Sequence, residues 1–278
     1  MNAGLDVEHA SIHYYDGDYP SEEHSLFPEN FDATTVSQGI RHDVGRYKEL
    51  ASQIGGPILE LCCGTGRVAI PLAKAEFDVT GVDVSRPILE QFRGNLRRES
   101  QSVCQRITIV EQDITTLELD YDAYPLAIIA FNSLLLVTDF DSQLRALRRA
   151  AAHLCDGGLL VLDIVNPLCL KIDGDPLPKP FFTRKNPNNG NLYTRFAMSD
   201  PLDENQRQRL HGWYDEIEAG GGMTRRFYSL HWRPIYRFEV ELMLKSAGCR
   251  IETVEGGHLG ERFAARSPRM FIQARKVG

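Results

Sequence analysis

Two glycines and three acidic residues carry the chemistry that can be read from this chain. The run Ile58-Leu59-Glu60-Leu61-Cys62-Cys63-Gly64-Thr65-Gly66-Arg67 is a short apolar segment that breaks into a glycine-rich turn just before a helical pattern. Glycines let a backbone approach a ligand closely, and the helix start offers free N–H groups. Alone, Gly64, Gly66 and Ala69 also fit a dinucleotide turn. The acidic residues narrow the choice. Glu60 precedes the turn, Asp83 ends the next apolar segment (Gly81-Val82-Asp83-Val84-Ser85), and Asp113 ends the one after (Glu111-Gln112-Asp113-Ile114). Asp83 suits the hydroxyls of a ribose, and Asp113 can accept from an exocyclic adenine amine. Glu60 puts negative charge where a dinucleotide would put its pyrophosphate, which suits a cationic ligand better. The ligand expected is a nucleoside bearing positive charge.

These residues need a frame that brings three strand ends to one edge. Over residues 56–165 strands alternate with helices: strands at 57–63, 78–84, 106–113, 125–131 and 159–165, helices at 67–76, 86–99 and 141–155. Asp141 marks the start of the last helix and Gly157-Gly158 its end. Such alternation gives a doubly wound, mostly parallel sheet covered on both faces, with ligands at the carboxyl edge. A helix is expected over 36–55, from the spacing of Ile40, Val44, Tyr47 and Leu50. Residues 166–191 contain five of the fourteen prolines and read as a loop. Candidate strands at 192–198, 206–217 and 223–233 follow as an antiparallel meander. A helix at 236–247 and antiparallel strands at 249–255 and 270–275 close the chain.

Length and composition bound the rest. The chain has 278 residues, 31 Lys+Arg against 38 Asp+Glu, and a net charge of -7. That balance argues against a nucleic-acid partner. No apolar run approaches the ~18–20 residues of a membrane span, and the polar, acidic N-terminus is no secretory signal. The six cysteines form no zinc pattern. A cytoplasmic protein with reduced cysteines and no metal is expected.

Taken together, the motifs resemble the class I S-adenosylmethionine-dependent methyltransferases. Residues 58–67 look like the family's first motif, with Cys62 standing where its first glycine often lies. Asp83 matches the ribose-binding acid, Asp113 the adenine-side acid, and Phe131-Asn132-Ser133 the segment lining the transfer site. The resemblance implies a seven-stranded Rossmann-like sheet and S-adenosyl-L-methionine as cofactor, with S-adenosyl-L-homocysteine as product. The cofactor-binding set it implies is Glu60, Cys62, Gly64, Thr65, Gly66, Asp83, Val84, Asp113, Ile114, Phe131 and Asn132, with Val84 and Ile114 sandwiching the adenine. Arg41 and Arg46 are candidates for the cofactor's carboxylate. By layout, the chain is similar to small-molecule members in which an antiparallel insert and an N-terminal segment close over the site.

The expected division is therefore an N-terminal lid and helix at 1–50, a cofactor-binding core at 51–165 and 235–278, and an insert at 166–234 covering the acceptor. Tyr14, Tyr15 and Tyr19 sit together in the polar lead segment of the lid, where they can face a sulfonium or ammonium. Tyr15, His211 and His231 are the candidate catalytic groups. Ser85 reads as a helix cap rather than a ligand. The function implied is direct displacement of a methyl group onto nitrogen or oxygen of a small molecule. A peptide or protein acceptor, an NAD-dependent oxidoreductase and a non-catalytic cofactor module are the alternatives, and the insert sheet allows a homodimer.

Overall fold

The computed structural model describes residues 10–20 and 42–278. Two sheets organise them. The larger has seven strands: β1 (Ile58–Leu61), β2 (Val79–Asp83), β3 (Ile107–Glu111), β4 (Tyr124–Ile129), β5 (Leu154–Val165), β10 (Cys249–Glu255) and β11 (Arg269–Lys276). Their spatial order is β3-β2-β1-β4-β5-β11-β10. Pairings from β3 through β5 are parallel, and β11 runs antiparallel to both β5 and β10. The order reverses direction between β1 and β4, the switch point where such sheets bind ligands. Glu60 lies at that point, opposite Gly81 of β2 and Ile128 of β4.

Helices cover both faces. Apolar side chains of α3 (Asp43–Ile54), α4 (Ala69–Lys74), α5 (Arg86–Leu96) and α6 (Gln101–Gln105) pack on one face with Ile58, Ile128, Val161 and Phe271. Those of α7 (Phe140–Ala152) and α8 (Arg237–Ser246) pack on the other with Leu59, Ala127, Leu160 and Ile272. Alternation along β5 sends Val161 to one face and Leu160 to the other, so an unbroken apolar run satisfies both layers.

The smaller sheet is antiparallel, in the order β6 (Asp175–Lys185), β7 (Leu192–Ser199), β8 (Gln208–Ile217), β9 (Met223–Trp232). β6 lies in the proline-rich stretch read as a loop. Pro176, Pro178 and Pro180 are tolerated there because β6 is an edge strand, with register shifts against β7. Gly157-Gly158 also differs from expectation. These residues lie inside β5, which begins at Leu154, and Gly157 takes a φ of +71° beside the β4–β5 register shift. The cap of α7 is Asp139, which accepts from the Ser142 N–H at 2.9 Å, and not Asp141. Two short helices, α1 (Ala10–His13) and α2 (Tyr15–Asp18), form a strap near the N-terminus. Residues 36–41 of the expected first helix, Arg41 among them, lie outside the described residues. No helix among the described residues is long and apolar enough to cross a membrane.

Candidate active site

The glycine-rich turn is built by backbone that takes left-handed geometry at three positions: Cys62 (φ +57°), Gly64 (+57°) and Gly66 (+85°). Gly66 is required for a second reason, since a Cβ there would sit 2.1 Å from the Phe92 ring of α5. Cys62 holds the same geometry with a side chain, which costs an L-residue roughly 1–2 kcal/mol. Cys62→Gly is therefore expected to be more stable than Cys62→Ala by about 1 kcal/mol, reversing the usual order of the two residues. Urea denaturation of both variants checks this, and a more stable alanine variant counts against it.

Asp83 ties β2 to the turn. Its carboxylate accepts from the Gly64 N–H at 3.0 Å and the Ser85 N–H at 2.9 Å. Burial pushes its pKa up, and these N–H donors act against that rise. Ser85 occupies the cap position of α5, but its hydroxyl makes no cap bond. That hydroxyl is buried without a hydrogen-bond partner among the described residues. Val84 projects from the strand end 57% exposed. Asp113 is half-buried and accepts from the Thr115 N–H at 2.8 Å, while Ile114 is buried in the core below it. Asp83 and Asp113 thus follow adjacent strands at one edge, as the spacing predicts.

Glu60 is 2% exposed. Burial, reinforced by Asp83 and Asp43, pushes its pKa up to about 8 against the opposing pull of Arg67 and the Ala69 N–H. Its Oε2 is buried with no partner among the described residues. A buried carboxyl oxygen left unsatisfied is costly, and this one lies at the switch point of the sheet. The group fits a cation.

At the end of β4, Phe131 (φ +40°) and Asn132 (φ +65°) both take left-handed geometry, a strain found mainly at functional positions. The Asn132 side chain is committed to structure, since its Oδ1 accepts from the Val165 N–H at 2.7 Å. The Phe131 ring lies 5.4 Å from Tyr19, with the guanidinium groups of Arg269 and Arg67 at 4.8 and 5.7 Å. Tyr19 in turn lies 5.0 Å from Tyr15, and the Tyr15 hydroxyl covers Gly64. A continuous aromatic wall therefore runs from the turn to the end of β4. Thr65 donates to Asp16 at 2.6 Å and so binds the strap to the turn.

Beneath this wall lies a buried ionic floor that sequence reasoning missed. Arg67 forms a two-bond pair with Asp43 at 3.0 and 2.6 Å. Arg269 donates twice to Asp163 Oδ1, at 2.8 and 2.6 Å, while Tyr47 and His258 each reach Oδ2 at 3.1 Å. The legible signal was a charge within each of two apolar runs, Asp163 in 159–165 and Arg269 beside Met270-Phe271-Ile272.

Three candidates are not brought to this edge. His211 and His231 lie on the outer face of the insert sheet, with Trp213 and Phe227; the inner face carries Tyr193, Tyr214 and Tyr228. His211 pairs there with Asp200 at 3.0 Å, and His231 is exposed. Arg46 is held by Glu49 and Glu255, both at 2.7 Å.

A doubly wound sheet with an acidic edge, a glycine turn and a buried carboxyl oxygen without a partner marks a site for a nucleoside cofactor. The comparisons agree. Residues 58–158 match the model of a methyltransferase domain. The cypemycin N-terminal methyltransferase of a Streptomyces species is 25% identical over 219 residues, covering 78% of this chain and 82% of that one. The CcbJ methyltransferase of Streptomyces caelestis superposes with a TM-score of 0.71 at 25% identity, covering 89% of this chain and all of that one. CalS10, an amino pentose methyltransferase of Micromonospora echinaspora solved with S-adenosylmethionine bound, gives 0.65 at 19% identity, covering 84% and 89%, a likeness of fold. Residues 58–158 are a methyltransferase domain, and the chain has the fold and the cofactor of the class I S-adenosylmethionine-dependent methyltransferases.

Proposed function

We propose that this methyltransferase acts on an amine nitrogen of a small molecule, with the terminal amine of a peptide as the second reading. The observation that carries this is the wall Tyr15–Tyr19–Phe131. Aromatic faces stabilise a nearby cation by about 0.5–2 kcal/mol, and methylation of an amine begins beside a sulfonium and ends with an ammonium. The cofactor supplies an electrophilic methyl carbon. The chain binds its nucleoside through Asp83, Val84, Asp113 and the turn Cys62–Gly66, and Glu60 faces its positive end. Tyr15 and Tyr19 exclude water and orient the nucleophile, and alignment of this kind supplies most of the rate in a displacement. Burial pushes the Tyr15 pKa well up, so its hydroxyl stays protonated and acts by hydrogen bonding. His211 and His231 have no role in this reading because they face away. The peptide reading is supported by the name of the cypemycin relative.

The test is transfer of labelled methyl from S-adenosylmethionine to matched panels of amino sugars, free-amine peptides and phenols. Incorporation into amines is expected, with kcat/KM rising with pH as the acceptor deprotonates. Phe131→Leu is expected to lower kcat/KM about tenfold with little change in affinity for S-adenosylhomocysteine, which carries no sulfonium, the loss of a cation contact worth roughly 1–2 kcal/mol. Incorporation into hydroxyl acceptors alone would overturn the proposal.

A further inference from the structure

The strap Ala10–Tyr19 makes two sets of contacts in opposite directions. Toward the cofactor turn, Asp16 accepts from Thr65 at 2.6 Å and from Asn95 at 3.2 Å. Gln91 of α5 donates to the Ile12 carbonyl at 3.0 Å, and Tyr15 covers Gly64. Toward the insert sheet, the side-chain contacts centre on Asp18, which is 1% exposed. Its Oδ1 accepts from Tyr193 at 2.9 Å, and its Oδ2 from Tyr214 at 2.6 Å and Arg195 at 3.0 Å. Arg184 donates to the carbonyl oxygens of Gly17 and Asp18. Tyr14 stacks on Tyr214 at 4.2 Å and donates to Glu216 at 2.7 Å. Gly17 permits this approach, since a Cβ there would sit 2.5 Å from the Tyr193 hydroxyl.

We propose that Asp18 is a positioning residue: its anchorage in the insert sheet sets Tyr15 and Asp16 on the glycine-rich turn, so cofactor binding and the inner face of the insert are energetically coupled. The inference rests on the assignment of S-adenosylmethionine as cofactor. A helix as short as α2 has no stability of its own and takes its position from its contacts. Asp16 and Asp18 are two residues apart, so one cannot move far without the other. Arg195 is buried on the inner face and faces Asp18, so releasing the strap would strand its charge. The insert therefore holds the strap in the position the turn requires. By linkage, a cofactor that holds the strap from the turn side must order the insert to the same degree.

The experiment is calorimetric titration of the full chain with S-adenosylhomocysteine, together with hydrogen exchange. Asp18→Asn is expected to weaken binding about tenfold although Asp18 makes no contact with the turn. When Tyr15→Ala and Asp16→Ala are already present, adding Asp18→Asn should change affinity less than twofold. In the unmutated chain, ligand should slow exchange of the amides of Tyr193–Arg195 and Tyr214. Should Asp18→Asn fold poorly, Tyr214→Phe removes one hydroxyl from Asp18, and an affinity loss of about threefold is expected. Wild-type binding with Asp18→Asn or Tyr214→Phe unchanged, or protection confined to the turn, overturns the coupling alone. A merely structural role for Asp18 would give the same loss in the Tyr15/Asp16 background, which also overturns it. Failure of the wild type to bind the ligand overturns the cofactor assignment and the coupling with it.

Discussion

Asp163→Asn is expected to destabilise the fold by about 3–5 kcal/mol, the usual consequence of stranding a buried charge. The substitution preserves shape while removing the only anionic partner that Arg269 has among the described hydrogen bonds and ion pairs. Both side chains are wholly buried. Burial alone would raise the Asp163 pKa, but Arg269 and His258 outweigh it and hold the carboxyl well below its usual range. The sign for pH follows. The native state binds this proton less readily than the unfolded chain, so the contribution is full above about pH 4 and is lost as pH falls below it. Urea denaturation should show a lowered midpoint at pH 7 and a flattened acid limb in the variant. A loss under about 1 kcal/mol would mean that Arg269 finds solvent or another partner, and the floor beneath Phe131 would then be less rigid than its hydrogen bonds indicate.

Most of the parallel half of the sheet was legible because its strands and longer helices carry their own period, whereas the five residues of α6 are too few to show one. β10 matches its expected bounds, and β2 and β3 fall within theirs. What sequence could not supply was the partner of each buried charge. Asp43 meets Arg67, and Asp163 meets Arg269 across 106 positions. Period-two alternation places His211, Trp213 and Asp215 on one face of β8, but it does not say which face turns inward. That is decided by Asp18, far up the chain, which satisfies the hydroxyls of Tyr193 and Tyr214 and the charge of Arg195. The inner face is thus tyrosine-rich and hydrogen-bonded, and the histidines are left outside. β6 was hidden for a different reason. Proline normally argues against a strand, and only an edge position, unknown from sequence, removes the objection.

The same logic of buried charge gives Glu60 a double signature. With its pKa pushed up to about 8, Glu60 is mostly protonated in the ligand-free protein at pH 7. A sulfonium or ammonium favours the ionised form, so cofactor binding near pH 7 should release close to one proton. Calorimetry in buffers of different ionisation enthalpy measures that number directly. Affinity should rise with pH toward about 8 and level off above it. Stability of the ligand-free chain should move the other way. Between the ordinary glutamate value and 8 the native state holds a proton that the unfolded chain releases, so stability falls as pH rises through that window. Glu60→Gln removes the penalty. At pH 8 it should stabilise the ligand-free protein, by at most about 5 kcal/mol, while weakening cofactor binding roughly 10–100-fold through loss of a charged contact. A purely structural carboxyl would destabilise the fold when replaced and leave proton release unchanged. Opposite signs for stability and affinity, with proton release abolished, are what a carboxyl held ready for a cation must show; binding enthalpy independent of buffer in the wild type would remove Glu60 from the site.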